Sequence, residues 1–213
     1  SEARALLIIG AGTKAFCVGA AIKDLMGLSL VAQKRGTEFG QATFAKLDRL
    51  PMPSIAIIDG YAFGGGLELA LACTFRIATG NAKMGAPEIK LGLIPGYGGT
   101  QRLPRMVGES RALELIMTGR TVDADEALRI GLVNRLIDGD VITQAIAFAR
   151  EFSGYGLPAL AFAREAVKRA LDTSIHEGLK IEAELSTLAF RTEDAVEGME
   201  AFICKRTPHF KDK

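Results

Sequence analysis

A chain of 213 residues, 48% of them hydrophobic, has material for one large domain or one domain with an appended subdomain. Its 26 Lys and Arg balance 25 Asp and Glu, and the net charge of +1 supplies no field for binding nucleic acid or a membrane surface. With 7% aromatic residues and no Trp there is little to stack on bases, and no apolar run reaches membrane-spanning length.

Residues 3–10, ARALLIIG, read as a continuous apolar strand of the kind buried on both faces. Gly10, Gly12 and Ala15 then come close to a G-x-G-x-x-G/A fingerprint. Neither the amphipathic helix nor the strand-ending acid that dinucleotide binding needs follows, so NAD is not expected. Helical spacing through Phe44, Leu47 and Leu50 predicts a helix over 39–50, stopped by Pro51 and Pro53. PSIAIIDG (53–60) is a second buried strand closed by an Asp-Gly turn, followed by a helix from about 66 to 73 and a strand over 75–79. That rhythm of strand, helix and strand predicts an α/β fold built from crossover units.

From 86 to 105 the chain reads as an irregular loop, with four glycines and three prolines. Helices are expected over 109–119 and 123–131, the second with a capping box from Asp123 to Glu126 and a stop at Gly131. A short strand over 132–138 precedes a helical remainder from about 140 to 204, so a boundary near Gly139 separates 1–138 from 139–213. Cys17, Cys73 and Cys204 lie far apart with no C-x-x-C, the pattern of free thiols in a reducing compartment. His176 and His209, the only histidines, do not suit a zinc site or a Ser-His-Asp triad, and no metal is expected.

Chemistry concentrates around YAFGGGLELALAC, where Glu68 sits in a nearly all-apolar helix behind three glycines. Two readings are open from this stretch: an acid favoured by its helix's own dipole, or a buried carboxylate with a function. The glycine-led helix start offers unpaired N–H groups that suit a developing oxyanion, and FCVGAAIK (16–23) is a second small-residue turn able to supply another donor. Glu88, in MGAPEIKLG, lies in a largely uncharged setting before the glycine-rich IPGYGG. Taken alone it reads better as a loop acid paired with Lys83 or Lys90. Taken together, the two acids and an oxyanion site are the parts needed for proton transfer beside a carbonyl.

AFCVGAAIK, AIDGYAFGGGLELALAC and APEIKLGLIPGYGGTQRLPR, in this order, closely resemble the enoyl-CoA hydratase (crotonase) family, as do GLVNRLID and EGMEAFICKRTPHFKDK. The resemblance covers essentially the whole chain. It implies a spiral of ββα turns followed by a C-terminal helical subdomain for trimer assembly, and enoyl-CoA hydratase activity in fatty-acid β-oxidation. It also implies that backbone N–H groups of Ala20 and Gly65 form the oxyanion hole, that Glu68 deprotonates the attacking water, and that Glu88 delivers a proton to the α-carbon. Gly96 matches a glycine whose backbone helps hold the water. Ala20, Ala21, Ile22 and Lys23 match the segment lining the acyl-CoA site.

The expected ligand is thus an acyl-CoA thioester, with no separate cofactor because coenzyme A belongs to the substrate. A homotrimer or a homohexamer built as a dimer of trimers is the implied assembly, in a bacterial cytoplasm first and a mitochondrial matrix second. Two departures stand out: Ala21 replaces the family's usual Asp, and the family's N-terminal segment is absent, as in a truncated chain. The competing expectations are an isomerase or other acyl-CoA lyase of the family, and a non-catalytic RNA-binding relative.

Overall fold

The computed structural model describes residues 3–213. β1 (Leu6–Ile9) and β2 (Ala15–Cys17) lead to a one-turn helix α1 (Ile22–Leu25) and to α2 (Leu30–Ala45), whose end tightens into a 3₁₀ turn over Lys46–Arg49. β3 (Ser54–Ile58), β4 (Tyr61–Phe63) and α3 (Gly65–Ala72) follow, then β5 (Phe75–Thr79), β6 (Lys83–Gly85) and a 3₁₀ turn over Pro87–Leu91. Next come α4 (Gly99–Val107), α5 (Glu109–Thr118), β7 (Val122–Asp123), α6 (Ala124–Arg129) and β8 (Arg135–Ile137). Four helices end the chain: α7 (Val141–Ser153), α8 (Leu157–Arg169), α9 (Ile175–Phe190) and α10 (Glu193–Ile203).

Each of the first three turns of the chain lays one strand on each of two sheets, of order β1-β3-β5-β8 and β2-β4-β6-β7. The first sheet is parallel throughout, with Leu6 opposite Ser54, Ile55 opposite Phe75 and Ile77 opposite Arg135. Parallel neighbours with covered faces require apolar residues on both sides, which is why every residue of β3 is buried. In the second sheet β7 closes the edge antiparallel to β6. The core gathers Leu67 and Leu71 of α3, Met84 of β6, Leu103 of α4 and Leu115 of α5.

Four expectations are corrected. α2 begins at Leu30, well before residue 39, with the Ser29 hydroxyl accepting the Ala32 N–H at 3.2 Å. Its first turns bury nothing, so they carry no apolar stripe to read. The stretch 86–105 holds a 3₁₀ turn and most of α4, which runs to Val107 with Pro104 inside it. The capping box is half made: Asp123 accepts the Glu126 N–H at 2.8 Å, but the Glu126 carboxylate is held by Arg120 at 2.7 and 2.9 Å. Finally, β1, read as a strand buried on both faces, leaves Leu6 and Ile9 exposed, because it has a neighbouring strand on one side only. β2, β4, β6 and β7 are only two or three residues long, too short for any periodic signal.

Two compact units result, one of Leu6–Leu50 and Ser54–Ala147, which carries both sheets, and one of Pro51–Pro53 and Phe148–Lys213 with the segment ending at Ala5. Within the second unit the C-terminal tail is pinned rather than loose. Buried Asp194 accepts the N–H groups of Lys211 and Asp212 at 2.6 and 2.9 Å, and Asp212 pairs with Arg4. Glu197 takes both arms of Arg206 at 2.6 and 2.7 Å, and with the His209 N–H these bonds pull its carboxyl down to about 2.

Candidate active site

The two small-residue turns of the sequence meet in space. Gly64, at φ +55 and ψ −126, turns the chain from β4 into α3 through a conformation that a side chain would strain. Gly19, at φ +87, lies so close that a Cβ there would stand 2.9 Å from the Gly65 nitrogen. Gly65 is the first residue of α3, so its N–H has no partner within the helix. Ala20 and Gly65 both line a cavity of about 530 Å³, and Glu68 and Glu88 line the same cavity.

Glu68 is in the first turn of α3 and only 3% exposed. Its carboxylate is not left to its own helix. Oε1 accepts the N–H of Tyr97 and the N–H of Gly99, each at 2.7 Å. Gly99 opens α4, so the acid sits at the positive end of a second helix. Burial raises its pKa, the two backbone donors pull it back, and nearby Glu88 raises it further.

Glu88 is set by the 3₁₀ turn after β6, with Oε1 facing Gly64 at 3.2 Å from where a Cβ would be. Its Oε2 is buried with no hydrogen-bond partner among the described residues. Burial raises this carboxyl too, opposed only by its own backbone N–H. The expected surface pairing with Lys83 or Lys90 is not what the fold builds: the Lys90 stem lies against Gly119. The result is two acids with different surroundings. Glu68 is bonded as an anion, whereas Glu88 keeps an oxygen that suits a proton.

Comparison with known proteins gives this arrangement its relatives. The enoyl-CoA hydratase/isomerase family model matches residues 1–213. The chain belongs to the enoyl-CoA hydratase/isomerase family. It is 48% identical over 205 residues to a Mycobacterium bovis protein named "Probable enoyl-CoA hydratase echA8", covering 96% of this chain and 79% of that one. It is 41% identical over 209 residues to the "Crotonyl-CoA hydratase" of Syntrophomonas wolfei, covering 98% and 80%. A solved enoyl-CoA hydratase structure from Geobacillus kaustophilus superposes with a TM-score of 0.94 at 36% identity, over 99% of this chain and 80% of that one.

The family's expected site residues fall into two groups here. Ala20, Ile22, Gly65, Glu68, Glu88 and Gly96 line the cavity. Ala21 and Lys23 are exposed and lie outside the lining, Ala21 preceding α1 and Lys23 lying within it. Two functional groups had no sequence signal as side chains: the backbone donors of Tyr97 and Gly99. The GYGG run running into a helix start was the only hint of them. Gln41 and Thr37 on α2, which also line the cavity, went unread because α2 shows no apolar stripe there.

Proposed function

We propose that the chain adds water across the trans-2 double bond of an enoyl-CoA thioester. The reading is carried by one observation: a doubly bonded, buried Glu68 and a Glu88 with an unpartnered buried oxygen face one cavity beside the Ala20–Gly65 turn. N–H groups of Ala20 and Gly65 donate hydrogen bonds to the thioester oxygen and draw electron density onto it, which makes C3 electrophilic. Glu68 takes a proton from water as the water oxygen bonds to C3, and the electrons of the double bond move into the enolate. Glu88 then gives its proton to C2, completing a 3-hydroxyacyl-CoA. One proton passing from Glu68 to Glu88 restores the pair for the next turnover.

Coenzyme A comes with the substrate, and the steps above use only the chain's own groups. Exposed Val167, Ile175, Phe190, Phe202 and Ile203 on the terminal helices, with Leu171 in the turn after α8, supply apolar surface for a homotrimer or dimer of trimers. Three free cysteines suit a reducing compartment such as a bacterial cytoplasm. Among the described residues no helix is long and apolar enough to cross a membrane. The test is hydration of crotonyl-CoA, followed by loss of the conjugated enoyl-thioester absorbance. Wild type turns over, and Glu68→Gln and Glu88→Gln each lose roughly 10²–10⁴-fold in kcat with the fold retained. A rate retained in either variant refutes the two-carboxylate mechanism.

A further inference from the structure

One face of α2 grips the loop that holds Glu68. Thr37, Gly40, Gln41 and Phe44 recur at helical spacing, and each meets residue 96 or 97. A Cβ on Gly96 would lie 3.5 Å from the Thr37 methyl, and one on Gly40 would strike the Tyr97 ring. Phe44 meets that ring edge-on at 5.8 Å. Gln41 makes the polar contact: its Nε2 donates to the Gly96 carbonyl at 2.8 Å.

The Gly96 carbonyl and the Tyr97 N–H are the two ends of one rigid peptide plane. The N–H end is the donor to Glu68 Oε1 at 2.7 Å. A donor on the oxygen of a peptide fixes the plane and polarises its N–H, so the bonds of such a chain reinforce one another. We propose that Gln41 is a positioning residue for Glu68, acting through the Gly96–Tyr97 peptide to aim and strengthen one of the two bonds that hold the carboxylate. This rests on reading Glu68 as the base in hydration.

The consequence is a titration effect. The Tyr97 N–H pulls the Glu68 pKa down, so weakening it moves Glu68 up and reduces the ionised, base-competent fraction at acid pH. Other groups near α3 are accounted for. β2 and β4 bring only Cys17 and Tyr61, and β3 brings none. α2 carries Lys34 in a pair with Glu38 at 3.7 Å, and Arg35. α4 carries Arg102, held by Asp48 at 2.8 Å, and Arg105. Glu88 is the charged neighbour that shifts Glu68.

Gln41 is exposed, so changing it spares the core. Gln41→Met keeps the length and loses the donor; Gln41→Glu, ionised, loses the donor and adds a like charge. Both are followed by ¹³C NMR titration of the side-chain carboxyls, with the Glu68 signal assigned by Glu68→Gln, and by crotonyl-CoA hydration across pH. In Gln41→Met the Glu68 titration and the acid limb of kcat move together to higher pH. There kcat falls roughly three- to tenfold, the worth of one ordinary hydrogen bond, with KM little changed. Gln41→Glu moves the titration further in the same direction. An unmoved Glu68 titration in both variants overturns the proposal whatever the kinetics show. A moved titration with unchanged kcat overturns its catalytic part. The NMR needs no turnover, so an enzyme inactive on crotonyl-CoA refutes the hydratase reading separately.

Discussion

Gly99→Ala tests the holding of Glu68 directly. A Cβ at this position would stand 2.8 Å from the Pro95 Cβ, 3.0 Å from Glu68 Oε1 and 3.1 Å from Glu68 Cγ. The carboxylate contact is about 0.4 Å short of ordinary van der Waals separation. Pro95 is a buried ring with little freedom, so the strain is relieved by Glu68 and the Gly99 backbone moving apart. That lengthens a 2.7 Å bond made to a charged acceptor, a class worth about 1.5–3 kcal/mol. Losing most of it corresponds to a drop of about 10- to 100-fold in kcat, in line with the effect of a small misplacement of a reacting group. The Gly99 N–H is also the larger of the two donors lowering the Glu68 pKa, so the acid limb of the rate profile moves to higher pH. Crotonyl-CoA hydration from acid to mildly alkaline pH, with circular dichroism as the control for folding, reads both effects. A folded Gly99→Ala enzyme with wild-type kcat and an unmoved acid limb refutes the role given to this bond.

Other perturbations separate stability from chemistry. Burial raises the Glu88 pKa, so the folded chain keeps this proton to higher pH than the unfolded chain and loses stability as pH rises above the ordinary 4.5. Glu88→Leu abolishes turnover yet raises stability to urea at mildly alkaline pH, and the gain disappears below pH 4.5; equal gains at both pH values contradict the raised pKa. Gly66→Ala sets a Cβ against the Cys17 carbonyl and 2.9 Å from the Cys17 Cβ, so it costs about 3 kcal/mol or more, seen as a fall in Tm and soluble yield. Arg76 is 3% exposed, with its guanidinium donating to the Leu132 and Cys73 carbonyls at 2.8 and 3.0 Å, and burial pushes it down to about 10. Arg76→Ala removes two buried hydrogen bonds and leaves a cavity, lowering stability by about 3–5 kcal/mol with KM unchanged; a Tm within a degree of wild type rules this out.

The buried strand β3 was legible because a parallel sheet covered on both faces demands an unbroken apolar run such as IAII, whereas the equally apolar β1 lies at the end of the sheet and is only half-buried. The glycine-led start of α3 was legible for a similar reason: GGG before an apolar helix leaves few alternatives. Family motifs carried the pairing of Glu68 with Glu88, which composition and spacing alone had left open. The second sheet was illegible, since strands of two or three residues hold no period and exist only because neighbouring turns stack them side by side.

What the sequence by itself determined, then, is local: which runs are apolar, where the chain turns, and that Glu68 and Glu88 stand in stretches with few other charges. Tertiary structure decided what those carboxylates meet. Glu88 looks like a surface acid between two lysines until the 3₁₀ turn brings it against Gly64. Glu68 looks like an acid served by its own helix until the loop at Tyr97 and the first residue of α4 each bring it an N–H group. Gln41 carries no signal until α2 lies against residues 96 and 97. The reason is the same each time: a carboxylate is tuned by desolvation and by donors within about 3 Å, and those donors come from segments far away in sequence.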